Sequence, residues 1–149
     1  MRRLIIISFL SVLLLTCTEE YNNPVPSFRV YIEVDLTFRD KELQAVAAHK
    51  IFTSKNTVPG KEITGYAGVL VTYTMFGEYK AFDLACPNEV RREAIVEIDD
   101  DYNAVCKICG SKYEVIRTYG SGVCIEGPSK YALRPYRTEL RNKILIIGN

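Results

Sequence analysis

The chain has 149 residues, of which 48% are hydrophobic and 25% are charged. This composition is typical of one globular domain with a hydrophobic core and excludes a disordered or fibrous chain. The formal net charge is only +1 and the basic residues form no block, so we expect no nucleic-acid partner.

The first sixteen residues have the pattern of an export signal. Arg2 and Arg3 precede an apolar run over residues 4–15, which is too short for a permanent membrane-spanning helix. Cys17 follows in LLTC, which resembles the lipobox of bacterial lipoproteins, whose cysteine becomes the lipid-carrying N-terminus after cleavage. The resemblance implies that residues 1–16 are a signal peptide and that lipid on Cys17 anchors the protein to the membrane. We therefore expect a cell-envelope location, on the periplasmic or surface face of an outer membrane.

A polar, proline-containing segment over residues 17–27 follows the signal. This composition suits a short flexible tether between the lipid and a folded domain. We expect the domain itself to occupy residues 28–149.

Nearly every segment after the tether predicts a β-strand. FRVYIEVDLTF, residues 28–38, alternates apolar and polar side chains with a strict period of two. Only KELQAVAAHK, residues 41–50, predicts a helix. A run of short strands without alternating helices favours an all-β sandwich or small barrel. The further candidate strands are AGVLVTYTM, YKAFDL, AIVEID, YEVIRT, GVCIEG, YALRPYRTEL and KILIIG.

Two loops of the predicted β-domain carry cysteines. In the first, LACPNE, Pro87 restricts Cys86 to extended geometry and Asn88 favours a turn. The second, VCKICGS, contains Cys106 and Cys109. Two such loops, each at the end of a β-hairpin, are the arrangement by which small β-domains hold a metal ion or an iron–sulfur cluster.

The ordered set of motifs resembles the Rieske family. That family has Cys-x-His in one loop, Cys-x-x-His-Gly-Ser-x-aromatic in the second, and then a Gly-Pro loop that covers the cluster. The matching stretches here are YKAFDLACPNE, CKICGSKYEV and EGPSKYALRPYRTEL, with YAGVLVTY upstream, so the resemblance covers about residues 65–147. It implies a Rieske-like small β-sandwich or barrel with the two cysteine-bearing loops adjacent and Gly127-Pro128 lying over them.

The ligand positions depart from the family pattern. Carried over position by position, Cys86 and Cys106 match the two cysteine ligands, whereas Asn88 and Cys109 stand where the two histidines should be. The only histidine of the chain, His49, lies far upstream and is expected to be an ordinary surface or hydrogen-bonded residue. A site with two cysteine and two histidine ligands therefore cannot be built.

Three states of the site remain open. A [2Fe-2S] cluster would use Cys86, Cys106 and Cys109, with Asn88 or Cys124 as the fourth ligand, at a potential well below the Rieske range. Zinc would take the same thiols, because C-x-x-C with a distant cysteine is a common structural-zinc spacing. Without metal, the thiols would pair as disulfides in an oxidising compartment. We favour the disulfide-linked or empty state, since a chain exported unfolded arrives without its cluster.

These alternatives leave two classes of function. We expect a lipid-anchored, non-catalytic module that presents a surface to another envelope protein and has no enzyme activity of its own. The alternative is an electron-transfer protein that carries a [2Fe-2S] cluster. The sequence contains no Ser-His-Asp set or phosphate loop that would indicate a hydrolase or a nucleotide-binding enzyme.

Overall fold

A computed structural model describes residues 22–58 and 60–149 of the protein. The predicted signal peptide and Cys17 lie outside the described residues. Within the described ranges, no helix is long and apolar enough to cross a membrane.

The described residues form eleven β-strands and one short 3₁₀ helix, Lys41–Gln44, and contain no α-helix. The strands are β1 (Val30–Asp35), β2 (His49–Phe52), β3 (Ile63–Thr64), β4 (Val69–Tyr73), β5 (Tyr79–Asp83), β6 (Val96–Ile98), β7 (Asn103–Cys106), β8 (Lys112–Glu114), β9 (Cys124–Glu126), β10 (Pro135–Arg141) and β11 (Ile144–Gly148).

The strands form two antiparallel sheets. Seven strands in the order β2-β4-β5-β10-β11-β1-β3 make a nearly closed, barrel-like sheet. The other four, β6-β7-β8-β9, pair in chain order as a small meander. The predicted all-β sandwich or barrel is therefore confirmed.

Strand β1 shows why the barrel forms where it does. Its apolar side chains at Val30, Ile32 and Val34 are buried, and Leu36 continues the same face beyond the strand. Period-two alternation requires this arrangement because successive side chains point to opposite faces of a sheet. Phe28 and Phe38, at the ends of the predicted strand, are exposed because pairing with β11 extends only from residue 31 to residue 35.

The helix predicted over residues 41–50 was wrong. After the 3₁₀ turn, Ala45 is extended and Ala47 has a positive φ of 64°, which ends any helix. Leu43 is buried but Val46 is exposed, so the segment has no apolar stripe for a helix to bury. The chain instead enters β2, which pairs along its whole length with β4 and buries Phe52.

The predicted tether is too long at its C-terminal end. Val25 is fully buried, and the Arg134 guanidinium donates a hydrogen bond from Nε to the Val25 carbonyl at 2.7 Å. Asn23 is also buried and donates from Nδ2 to the Ala132 carbonyl at 2.9 Å. The packed domain therefore includes Asn23 and Val25, which lie before the expected boundary at residue 28.

Strand β5 links the two sheets. Beyond its end, the N–H of Val96, the first residue of β6, donates to the Leu84 carbonyl at 2.9 Å, so the chain passes from the barrel directly into pairing with β6. The buried carboxylate of Asp83 fixes this junction. It accepts hydrogen bonds from the Ala85 N–H at 2.9 Å and from the Tyr136 hydroxyl at 2.6 Å. The loop that follows is consequently held at a defined position beside the small sheet.

Candidate metal centre

The first cysteine-bearing loop begins where the paired extension of β5 ends. The Cys86 N–H donates to the Ala94 carbonyl at 2.8 Å, and the chain then turns so that the Cys86 carbonyl accepts from the N–H groups of Glu89 and Val90. These hydrogen bonds fix the backbone of Cys86 on both sides. Its side chain is fully buried in the hydrophobic cluster of the small sheet.

The second loop is the turn of the β7–β8 hairpin. The Cys106 N–H donates to the Ser111 carbonyl and the Gly110 N–H donates to the Cys106 carbonyl, both at 2.9 Å. Gly110 has a φ of +74°, a left-handed conformation that favours glycine. The tight turn places Cys106 in the buried cluster and leaves Cys109 half-buried at its surface.

The two loops bring three thiols together. The Sγ atoms of Cys86, Cys106 and Cys109 all lie within 4.8 Å of one another. The Sγ atoms of Cys86 and Cys109, which come from different loops, are 3.6 Å apart. A group of three sulfur donors at these distances can hold a thiophilic metal ion.

The protonation of Cys86 is governed by its burial. Removal from water raises the pKa of the Cys86 thiol to about 12, although the Tyr113 hydroxyl, 3.3 Å from its Sγ, opposes the shift. Tyr113 is itself fully buried, and its burial raises the pKa of its own hydroxyl. In the metal-free protein Cys86 is therefore a neutral thiol near pH 7, and binding a metal requires it to release a proton.

Cys109 lies in a more polar environment. Burial alone would raise its pKa, but hydrogen bonds to the side chain and backbone of Ser111, together with those to the Cys86 and Cys106 thiols, outweigh burial and hold the pKa of Cys109 below its ordinary value. The Cys109 thiol donates to Ser111 Oγ at 3.2 Å in the protonated form. Cys109 therefore forms the thiolate more readily than Cys86, and the thiolate is the form that binds metal.

A third loop lies against the second one, as the Rieske resemblance implied for Gly127-Pro128. The Ser129 N–H donates to Ser111 Oγ at 3.1 Å. A Cβ atom at Gly127 would lie 2.6 Å from Ser111 Cα, so only a glycine permits this approach. The hydroxyl of Ser111 thus connects Cys109 with the third loop.

The structure does not bring every predicted residue to the site. Cys124 starts β9, where its Sγ contacts the Glu126 carbonyl at 3.3 Å, and it is not a member of the sulfur group. Asn88 is exposed and donates from Nδ2 to Glu89. His49 is exposed in β2, an edge strand of the barrel, in agreement with its predicted surface position.

The disulfide-linked form of the site is not present. Cys86, Cys106, Cys109 and Cys124 are all free thiols. The contact of 3.6 Å between the Cys86 and Cys109 sulfurs is far longer than a disulfide bond, which is about 2.05 Å. The Cys86 and Cys109 thiols instead contact each other and the hydroxyls of Tyr113 and Ser111.

Ser111 and Tyr113 were not among the predicted site residues, although their hydroxyls contact the sulfurs of Cys109 and Cys86. The signal for them was available in CGSKY, since the family pattern includes Gly-Ser-x-aromatic after the second loop. Strand parity then places Ser111 and Tyr113 on the same face, toward the thiols.

No protein-family model matches this chain, and no curated protein matches it. The resemblance to the Rieske family therefore depends on the ordered motifs alone.

Proposed function

We propose that the protein is a non-catalytic metal-binding module of the cell envelope in which Cys86, Cys106 and Cys109 bind one zinc ion. The observation that carries the proposal is the convergence of three sulfurs within 4.8 Å from two separate loops. Zinc favours thiolate ligands and needs no histidine. Its role would be structural, since it joins a loop after β5 to the turn of the β7–β8 hairpin.

The sulfur spacing favours a single ion over a two-iron cluster. Two sulfurs bound to one tetrahedral zinc at about 2.3 Å are about 3.8 Å apart, and the Cys86–Cys109 distance of 3.6 Å fits this value. In the position-by-position match to the Rieske pattern, Cys86 and Cys109 would instead bind different irons. Ligands on different irons are separated by the distance between the irons as well, so a contact of 3.6 Å is too short for that assignment.

Asn88 is the better of the two predicted candidates for a fourth ligand. Cys124 lies outside the sulfur group, whereas Asn88 follows Cys86 by two positions and occupies the exposed side of the same turn. An Asn88→Ala variant is expected to weaken zinc binding less than loss of a thiol, because an amide oxygen is a poorer zinc ligand than a thiolate.

A second candidate function is electron transfer through a [2Fe-2S] cluster bound by the same three cysteines. The contact of the 127–129 loop with Ser111 supports it, because the Rieske resemblance predicts a covering loop at that place. A cluster would also have one ligand, Cys109, near the surface. The sulfur spacing supports this candidate less well than zinc.

Metal analysis of the full chain purified from its native envelope separates these candidates. We expect one zinc per chain, no visible absorbance, and loss of zinc in each of Cys86→Ser, Cys106→Ser and Cys109→Ser. The matched controls Cys124→Ser and His49→Ala should keep their zinc. A finding of two irons per chain with visible absorbance would contradict the zinc proposal and support the [2Fe-2S] cluster. Absence of any metal from a sample with intact, reduced thiols would overturn both candidates.

The proposed envelope location has its own test. Lipid on Cys17 would account for membrane association, and a Cys17→Ala variant should then be released in a soluble form after signal cleavage. A variant that stays wholly with the membrane after cleavage would contradict lipid anchoring. A partner protein in the envelope would be sought by crosslinking the anchored form.

A further inference from the structure

We propose that Cys86 and Cys109 are a redox-active thiol pair that a low-molecular-weight disulfide converts to an intramolecular disulfide. This disulfide would join the two loops, unlike a disulfide between the two cysteines of the CKIC turn. Its formation does not depend on the proposed zinc function. Only the effect of the disulfide on metal binding rests on that function.

Accessibility makes Cys109 the first thiol to react. Its side chain is partly exposed at the turn of the β7–β8 hairpin, whereas Cys86 and Cys106 are both 0% exposed. An oxidant that approaches from solvent therefore contacts Cys109 before either of the other two thiols.

Distance makes Cys86 the partner. Its Sγ is in direct contact with the Cys109 Sγ at 3.6 Å. The two sulfurs must approach by about 1.5 Å to reach the length of a disulfide bond. Cys109 lies in the turn between β7 and β8 and is only half-buried, so rotation of its side chain can supply much of this movement.

The chemistry balances as thiol–disulfide exchange. The Cys109 thiolate attacks one sulfur of the small disulfide, the Cys109–S bond forms, and one small thiol leaves with a proton from solvent. The Cys86 thiol then loses its proton and attacks the Cys109 sulfur, which releases the second small thiol. Two protein thiols are oxidised and one small disulfide is reduced.

The product and the metal centre exclude each other. The disulfide uses two of the three sulfurs that would bind zinc, and it joins the same two loops that zinc would join. Oxidation would therefore release the metal and keep the loops adjacent.

The test uses the full chain, stripped of metal by a chelator, reduced, and then exposed to oxidised glutathione. We expect a mass lower by about 2 Da and a mapped peptide crosslink between Cys86 and Cys109. Cys106→Ser and Cys124→Ser should still form this crosslink, whereas Cys86→Ser should stop at a glutathione adduct on Cys109. Two results in the unmodified chain would overturn the proposal: a crosslink between Cys106 and Cys109, or a stable glutathione adduct on Cys109.

Adding zinc before the oxidant tests the thiol pair and the proposed zinc site separately. If both are correct, prior addition of zinc should slow the crosslink strongly in the unmodified chain and should have no effect in Cys106→Ser. A crosslink that forms at the same rate with and without zinc would contradict the metal proposal and leave the thiol pair established. Failure of the crosslink in the metal-free chain would contradict the thiol pair alone.

Discussion

The barrel and the small sheet of this protein bury different kinds of side chain. The barrel core contains aliphatic residues from β1, β4 and β11, together with a few aromatic side chains. The core of the small sheet includes two cysteines, Cys86 and Cys106, and the buried phenol of Tyr113. The strands of the small sheet are also only three or four residues long.

We infer from this difference that the barrel supplies most of the folding stability, whereas the small sheet carries the candidate site. Aliphatic burial over long paired strands stabilises most of the barrel, and its buried Asp83 carboxylate is paired with the Tyr136 hydroxyl. The small sheet has little ladder pairing, so its loops are positioned by the backbone hydrogen bonds around Cys86 and Cys106, by the Ser111 hydroxyl and, in our proposal, by a metal ion. Substitutions in the two regions should therefore have different signatures.

The largest expected effect is in the barrel core. Ile32 is fully buried in β1, and Ile32→Ala should lower the free energy of unfolding by about 2–5 kcal/mol because it removes buried methyl groups and leaves a cavity. Urea unfolding measures this loss. The remaining folded protein should keep its full zinc content.

Ile63→Ala provides the matched control, since Ile63 lies in the same sheet but is exposed. Its effect should stay within about 0.5 kcal/mol. If Ile32→Ala reduced zinc content as strongly as loss of a cysteine does, the separation between barrel and site would be wrong.

A pH-dependent effect is expected at the end of β8. The carboxylate of Glu114 accepts hydrogen bonds from the N–H groups of Thr118 and Ser121 at 3.0 Å and from the Ser121 hydroxyl. Burial by itself would raise its pKa, but these hydrogen bonds outweigh burial and the pKa of Glu114 is lowered from 4.5. The stabilisation is thus fully present above the unfolded-state pKa and is lost as the pH falls through the lower folded-state pKa.

Glu114→Gln should therefore cost about 1.5–3 kcal/mol near neutral pH, because the hydrogen bonds to a charged acceptor are lost. The difference from the unmodified chain should shrink in urea unfolding at a pH below the folded-state pKa. Glu97→Gln, an exposed glutamate of the same sheet, is the control. A Glu114→Gln effect that is equal at both pH values would show that the charge is not responsible.

A smaller effect is expected where the third loop meets the second. Gly127 has a φ of +103°, and an added Cβ would contact the Ser111 backbone at 2.6 Å. Gly127→Ala should therefore displace the loop, with a cost of about 1–3 kcal/mol. It should also speed zinc transfer to a chelator, because Ser111 contacts Cys109.

Gly60→Ala controls for backbone strain alone. Gly60 has a φ of +76° and nothing within 4 Å of an added Cβ. Both variants should be destabilised, but only Gly127→Ala should change metal release. Equal rates of metal release in the two variants would mean that the third loop does not support the site.

Local patterns in the sequence predicted the features that depend on local geometry. The alternation around Ile32 identified β1 and its buried face. The adjacency of the two cysteine loops and Gly127 was instead an implication of the Rieske resemblance, and the sulfur group and the contact with Ser111 agree with it.

Features that depend on distant partners were missed. The helix predicted over residues 41–50 does not form because its last residues pair with β4 as part of β2, and no local sequence pattern predicts that pairing. Val25 was assigned to a tether because its hydrogen-bond donor, Arg134, lies 109 residues away. Cys124 was a candidate ligand because the sequence does not determine how β9 is placed relative to the two loops.

The smallest predicted effect concerns the contact of Arg92, which follows the first cysteine-bearing loop, with two aromatic rings. The Arg92 guanidinium lies 4.8 Å from the ring centroid of Phe28 and 4.6 Å from that of Tyr66. The Tyr66 hydroxyl also donates to the Val90 carbonyl at 3.3 Å. These contacts hold the segment between Cys86 and β6 by attraction of a cation to two aromatic faces.

Arg92→Ala should lower the free energy of unfolding by only about 0.5–1 kcal/mol, because the cation–π contact is exposed. Its effect on the site should nevertheless be measurable as faster hydrogen exchange at the Glu89 and Val90 amides, which bond to the Cys86 carbonyl. Arg91→Ala is the neighbouring control, because the Arg91 side chain pairs with the Glu89 carboxylate instead of the two rings. Equal exchange in both variants would mean that the turn after Cys86 is held by its own hydrogen bonds, without help from the aromatic contact.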